Sequence, residues 1–92
     1  MDIQTFRSAL ERDGYSNIET RSSQPNVRNA PHAHDFEVRA LVLEGEVTVR
    51  YEGRTQTCRA GDTLTMAAGC EHSEEYGPAG ATYLFGRKTP AR

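Results

Sequence analysis

Apolar residues open the chain with a helical period. Ile3, Phe6 and Leu10 recur at i, i+3 and i+7, while Arg7, Glu11 and Arg12 fall on the opposite face. Asp2 stands where an N-cap belongs and Gly14 where a left-handed stop belongs, which predicts one helix of about three turns. A helix that short is marginal alone and needs a surface to lie on. Beyond it the period drops to two. Short strand-like segments at 17–23, 34–44, 47–51, 54–59, 63–66 and 81–87 are separated by turn chemistry. The breaks are Ser23 to Asn26, Asn29-Ala30-Pro31, Glu44-Gly45-Glu46, Glu52-Gly53, Ala60-Gly61-Asp62, Ala68-Gly69 and Tyr76 to Gly80. Strands punctuated by glycine this often predict an all-β sandwich or barrel. The 92 residues thus read as one domain: helix and turn over 1–16, antiparallel β-barrel over 17–88.

Parity along the second of these segments is informative. His32, His34, Phe36, Val38, Ala40 and Val42 share one face; Asp35, Glu37, Arg39, Leu41 and Leu43 share the other. The first set is apolar after its two histidines and faces the core. The second is charged and then apolar, so Leu41 and Leu43 need a cover, either the N-terminal helix or a second copy of the chain. A homodimer with C₂ symmetry is the expectation that follows.

Charge and composition narrow the partners. The net charge is −2 and the basic residues are scattered, which predicts no nucleic-acid footprint. The longest apolar run, Ala40 to Leu43, is far below the roughly 20 residues of a spanning helix, and the N-terminus lacks the pattern of a signal peptide. No membrane association and a cytoplasmic location are expected. Cys58 and Cys70 lack CxxC spacing and read as two free thiols.

The chain has three histidines, and their placement raises the question of chemistry. His32 and His34, at i and i+2 of an extended segment, stand about 6–7 Å apart at Cα, a spacing that suits two ligands of one metal. His72 follows a glycine-punctuated segment that returns the chain. Left without a metal, three crowded imidazoles each need a hydrogen-bond partner; with one, their lone pairs are used. A carboxylate near them comes from Glu74, which shares parity with His72, or from Glu37, which by parity faces outward unless a β-bulge re-aims it. Phe36, Leu64 and Met66 read as core, and Tyr76, Tyr83 and Phe85 as core or the mouth of a cavity.

Two motifs carry a family resemblance. "HAHDFEVRALVLEG", His32 to Gly45, resembles the first motif of the cupin superfamily, HxH followed by a glutamate and a glycine. "GDTLTMAAGCEHSEEY", Gly61 to Tyr76, resembles the second, with Gly61, Gly69 and His72 at matching intervals. The resemblance is to small single-domain cupins of the cupin 2 type and implies a jelly-roll barrel. It also implies a divalent transition metal, Fe, Mn, Ni, Cu or Zn, on His32, His34 and His72. Val38 occupies the position of the family's glutamate ligand, Ala67 that of a proline and Tyr76 that of an asparagine.

What such a site does is left with two readings. One is a metal-dependent dioxygenase or isomerase acting on a small molecule, with Glu74 as the candidate catalytic carboxylate. The other is a non-catalytic module that binds or senses a metal or small molecule. A barrel whose histidines are merely hydrogen-bonded is a weaker third. No helix-turn-helix precedes the barrel, which argues against a self-contained regulator.

Overall fold

The computed structural model describes residues 2–90. One helix, α1 (Ile3–Arg12), precedes six strands: β1 (Ser16–Ser23), β2 (Arg28–His32), β3 (Glu37–Tyr51), β4 (Arg54–Arg59), β5 (Thr63–Met66) and β6 (His72–Lys88). The helix begins where Asp2 caps it, its carboxylate accepting from the backbone N–H of Gln4 at 2.9 Å and of Thr5 at 3.4 Å. It ends at Gly14, where φ is +86° and the Tyr15 N–H turns back to the Leu10 carbonyl.

Every strand pairing is antiparallel, and two long strands organise them. The first half of β3 pairs with the second half of β6, flanked by β5 and β1. The second half of β3 pairs with the first half of β6, flanked by β4 and β2. β3 and β6 therefore pass through both layers of a jelly-roll sandwich. The hydrogen-bonded path runs β1-β6-β3-β4 and does not return on itself, so the barrel of the sequence reading is a sandwich rather than a ladder-closed cylinder.

Val42, Val47, Val49, Cys58, Met66, Tyr76 and Ala81 form the core between the layers. A second cluster lies outside one layer: Phe6, Leu10, Tyr15, Leu41 and Leu84, with Ile18 and Leu43 packed against it. The helix thus covers the face of β3 that carries Leu41 and Leu43, and covering those leucines does not require a second copy. Gly86 lets the helix and the start of β1 approach, since a Cβ there would sit 3.4 Å from Leu10 Cδ1 and 3.2 Å from Tyr15 and Ile18 side-chain carbons.

Four expectations about strands change. The segments at 34–44 and 47–51, expected to be separated by a turn at Glu44-Gly45-Glu46, are one strand, β3. β3 begins at Glu37 and not at His34, because the His34 carbonyl accepts from the Gly69 N–H at 2.7 Å and leaves the ladder. Arg28–His32 is a strand although it contains turn residues; it lies on an edge, where Pro31 interrupts no central ladder. β6 starts at His72 and runs through the glycine-rich segment, yet its pairing skips from Ala81 to Tyr76, so residues 77–80 bulge out of register. Cys58 and Cys70 are both free. Among the described residues no helix is long and apolar enough to cross a membrane.

Candidate metal centre and cavity

The three histidines meet. His32 closes β2, His34 lies in the β2–β3 loop and His72 opens β6, directly across from His32 in the ladder. Their ring centroids are 4.4 Å (His32–His72), 5.0 Å (His32–His34) and 5.4 Å (His34–His72) apart. One nitrogen from each lies within 4.8 Å of the others. Two of the rings have a fixed tautomer. His32 Nδ1 is 2.8 Å from the Ala30 carbonyl and His72 Nδ1 is 3.0 Å from the Cys70 carbonyl. A carbonyl only accepts, so each Nδ1 carries the proton and each Nε2 offers a lone pair. This is the outer support that metal-binding histidines use.

The surroundings of His34 favour its neutral form. Burial lowers the pKa of His34 from its usual value, and the charges that His32 and His72 carry when protonated lower it further. Glu74 faces the cluster, its carboxylate oxygens 3.7 Å from His32 Nε2 and 3.9 Å from His72 Nε2. Asn29 orients that carboxylate by donating from Nδ2 at 2.9 Å. Three imidazole nitrogens and one oxygen suit a divalent transition ion. A tetrahedral ion brings its ligands to roughly 3.4 Å from one another, so small side-chain rotations suffice to close the set.

Glu37 is placed elsewhere. Its carboxylate accepts from the Tyr15 hydroxyl on the helix side of β3, so no bulge turns it towards the histidines. Cys70 directs its thiol to Glu52 at 3.7 Å, and burial followed by that carboxylate's charge raises its pKa.

His32, His34 and Glu74 open on a cavity of about 310 Å³, whose remaining wall includes Phe36, Val38, Tyr76, Tyr83, Phe85 and Arg87. Buried His72 lies behind this cavity and also borders a second recess with Arg50 and Tyr51. Phe36, read from the sequence as core, is a wall of the cavity and stacks on His34 at 4.8 Å. Leu64 and Met66 remain with the core. Tyr76 donates to the Tyr83 hydroxyl at 3.4 Å, and burial, then that bond, push its pKa well up, so it stays protonated. The sequence reading missed Arg87 and Asn29. Arg87 continues the alternation of Tyr83 and Phe85, and that parity was the available signal.

A family model described as the AraC-like ligand binding domain matches residues 18–85. The chain belongs to that family. Solved structures described as cupins share its fold. An RmlC-like cupin from Shewanella frigidimarina is 24% identical with a TM-score of 0.68, over 82% of this chain and 66% of its own. The chain therefore spans just under two thirds of that protein's length. A Rhizobium leguminosarum protein of unknown function is 19% identical with a TM-score of 0.76, over 98% of this chain and 97% of its own. A protein described as a predicted oxalate decarboxylase from Thermotoga maritima is 17% identical with a TM-score of 0.69, over 90% of this chain and 74% of its own. At these identities the likeness is one of fold. No curated protein matches the chain.

Proposed function

We propose that this domain binds a divalent transition metal through His32, His34 and His72 and uses the centre to bind and transform a small molecule in the adjoining cavity. The convergence of three imidazole nitrogens within 4.8 Å of one another carries this reading. The carbonyl-fixed tautomers of His32 and His72 support it, because they aim lone pairs and not protons into the centre. When bound, the metal supplies Lewis-acid polarisation of a ligand oxygen and, for a redox ion, an electron-transfer partner. Glu74 holds or moves a proton beside it: its carboxylate adjoins His32 and His72 and is kept in place by Asn29. Tyr76, kept protonated, donates within the cavity wall. Val38 and Phe36 exclude water from the bound molecule.

The Thermotoga relative's description as a predicted oxalate decarboxylase is in keeping with an enzymatic role. A second reading, a module that binds its ligand without turning it over, draws on the description of the family as a ligand binding domain. Calorimetric titration of metal-free protein with Zn²⁺, Mn²⁺ and Fe²⁺ tests the centre. A substrate screen of the loaded protein under O₂ and under nitrogen then separates enzyme from binder. Absence of any one-to-one metal binding removes the proposal.

A further inference from the structure

Arg87 lines the cavity as well. The guanidinium carbon lies 4.8 Å from the centroid of the Phe36 ring, whose stacking partner is His34, also at 4.8 Å with the planes 15° apart. The cation is thus no more than two such steps from the histidine cluster and on the same wall. Arg21 also borders the cavity, but its charge is answered by Glu19 at 2.6 Å while it rests over Phe85 at 4.9 Å. Arg87 is half-buried and, among the described residues, has neither a carboxylate within 4.0 Å nor a side-chain hydrogen bond. Stacking on an aromatic face occupies the flat side of a guanidinium and leaves its edge donors free for a planar, two-oxygen acceptor.

From this we infer that the cavity selects a small linear acid whose far carboxylate is bound by Arg87 while an oxygen at its other end reaches the histidine centre. A dicarboxylate a few carbons long is the simplest such molecule. Only the head-group half of this inference rests on the metal proposal. The Arg87 half rests on the cavity and the unpaired cation. Phe36 sets the orientation of both ends at once, because His34 and Arg87 share it as a stacking surface. Val38 and Tyr83 also line the cavity and would accept the methylene chain.

Glutarate and its monoamide glutaramate test this directly, since they differ only in the charge and acceptor geometry of one end. Calorimetry on zinc-loaded wild-type protein is expected to give glutarate at least tenfold tighter binding than glutaramate. Arg87→Gln should bring that ratio close to one through a loss of at least tenfold in glutarate affinity, while leaving the zinc affinity unchanged. Arg87→Lys keeps the charge and the stem over Phe36, and should restore part of the ratio if a loss in the glutamine variant reflects recognition and not damage to the fold. The same ratio is measured on metal-free protein. If zinc fails to bind but glutarate is still preferred in an Arg87-dependent way, the metal proposal fails and this one stands. Equal affinities for the two acids, a preference that survives Arg87→Gln, or no binding of glutarate to either form at millimolar concentration overturns it.

Discussion

Replacing Gly45 with alanine puts a methyl carbon 2.0 Å from the Gly80 carbonyl oxygen and 3.0 Å from the Ala81 Cα, at a residue whose φ is +73°. Two costs combine. Holding an alanine left-handed costs about 1–2 kcal/mol, offset by about 0.4–1 kcal/mol because the unfolded chain also loses freedom. Forcing extra volume into a packed site costs about 1–3 kcal/mol more, and here the obstacle is the backbone of the neighbouring strand, not the end of a flexible side chain. A loss of about 2–4 kcal/mol follows, against a total stability on the order of 5–14 kcal/mol for a domain of this length. Gly53 isolates the first cost: φ is +71° and nothing lies within 4 Å of its added Cβ. Gly53→Ala should therefore lose no more than about 1.6 kcal/mol. Urea unfolding followed by circular dichroism reads both, and the thermal midpoint of Gly45→Ala should fall by on the order of 10–25 °C. Equal midpoints for the two variants would refute the claim that β3 and β6 approach so closely at Gly45.

Zinc titration of His72→Ala should show affinity reduced by about a hundredfold or more, while Glu37→Ala binds zinc as the wild type does; the reverse pattern would dismantle the three-histidine assignment. Glu74→Gln should weaken zinc less than His72→Ala, because it removes a neighbouring charge and not an imidazole; a calorimetric affinity equal to that of His72→Ala would instead make Glu74 a full ligand. The lowered pKa of His34 means that the unfolded chain takes up this proton first as pH falls. The stability this group contributes is present above its unfolded value of about 6.5 and is lost as pH drops through the lower folded value. The urea midpoint of metal-free protein should therefore decline below about pH 6.5, and His34→Gln should flatten that part of the curve. An unchanged slope in the variant would mean that His34 is not responsible.

Parts of this molecule were readable before any coordinates, and the reasons are local. The helix announced itself because Asp2, the Ile3–Phe6–Leu10 period and Gly14 agree with one another, and β4 and β5 came out with their observed bounds because turns isolate them on both sides. β2 did not, because an exposed edge strand with Asn29 and Pro31 has no apolar alternation to detect. The start of β6 was hidden for a related reason: it is polar where it lines the histidine cluster and so carries no hydrophobic alternation. For the candidate site, HxH parity and the cupin-like spacing were enough to bring His32, His34 and His72 under suspicion, and Glu74 followed from parity with His72. Arg87 and Phe36 were out of reach as a pair, since their contact depends on the antiparallel register that sets Val38 opposite Arg87 across β3 and β6.

That register also explains how one strand furnishes two walls of the cavity. In the first half of β6, Glu74 and Tyr76 face inward, both at even positions; in the second half, Tyr83, Phe85 and Arg87 do so, all at odd positions. Unbroken alternation would send one of these sets to the outside. The switch falls at residues 77–80, where the pairing with β3 jumps from Ala81 to Tyr76. Such an excursion needs backbone that passes close to its neighbours, and Gly80 meets that need: at φ +69° a Cβ there would lie 2.3 Å from the Ser23 carbonyl of β1. Gly45 makes the matching approach from β3. The glycine-rich segment that reads as a turn in the sequence is thus the parity switch of the site. It brings the carboxylate of Glu74 and the cation of Arg87, from the two halves of one strand, onto the walls of one cavity.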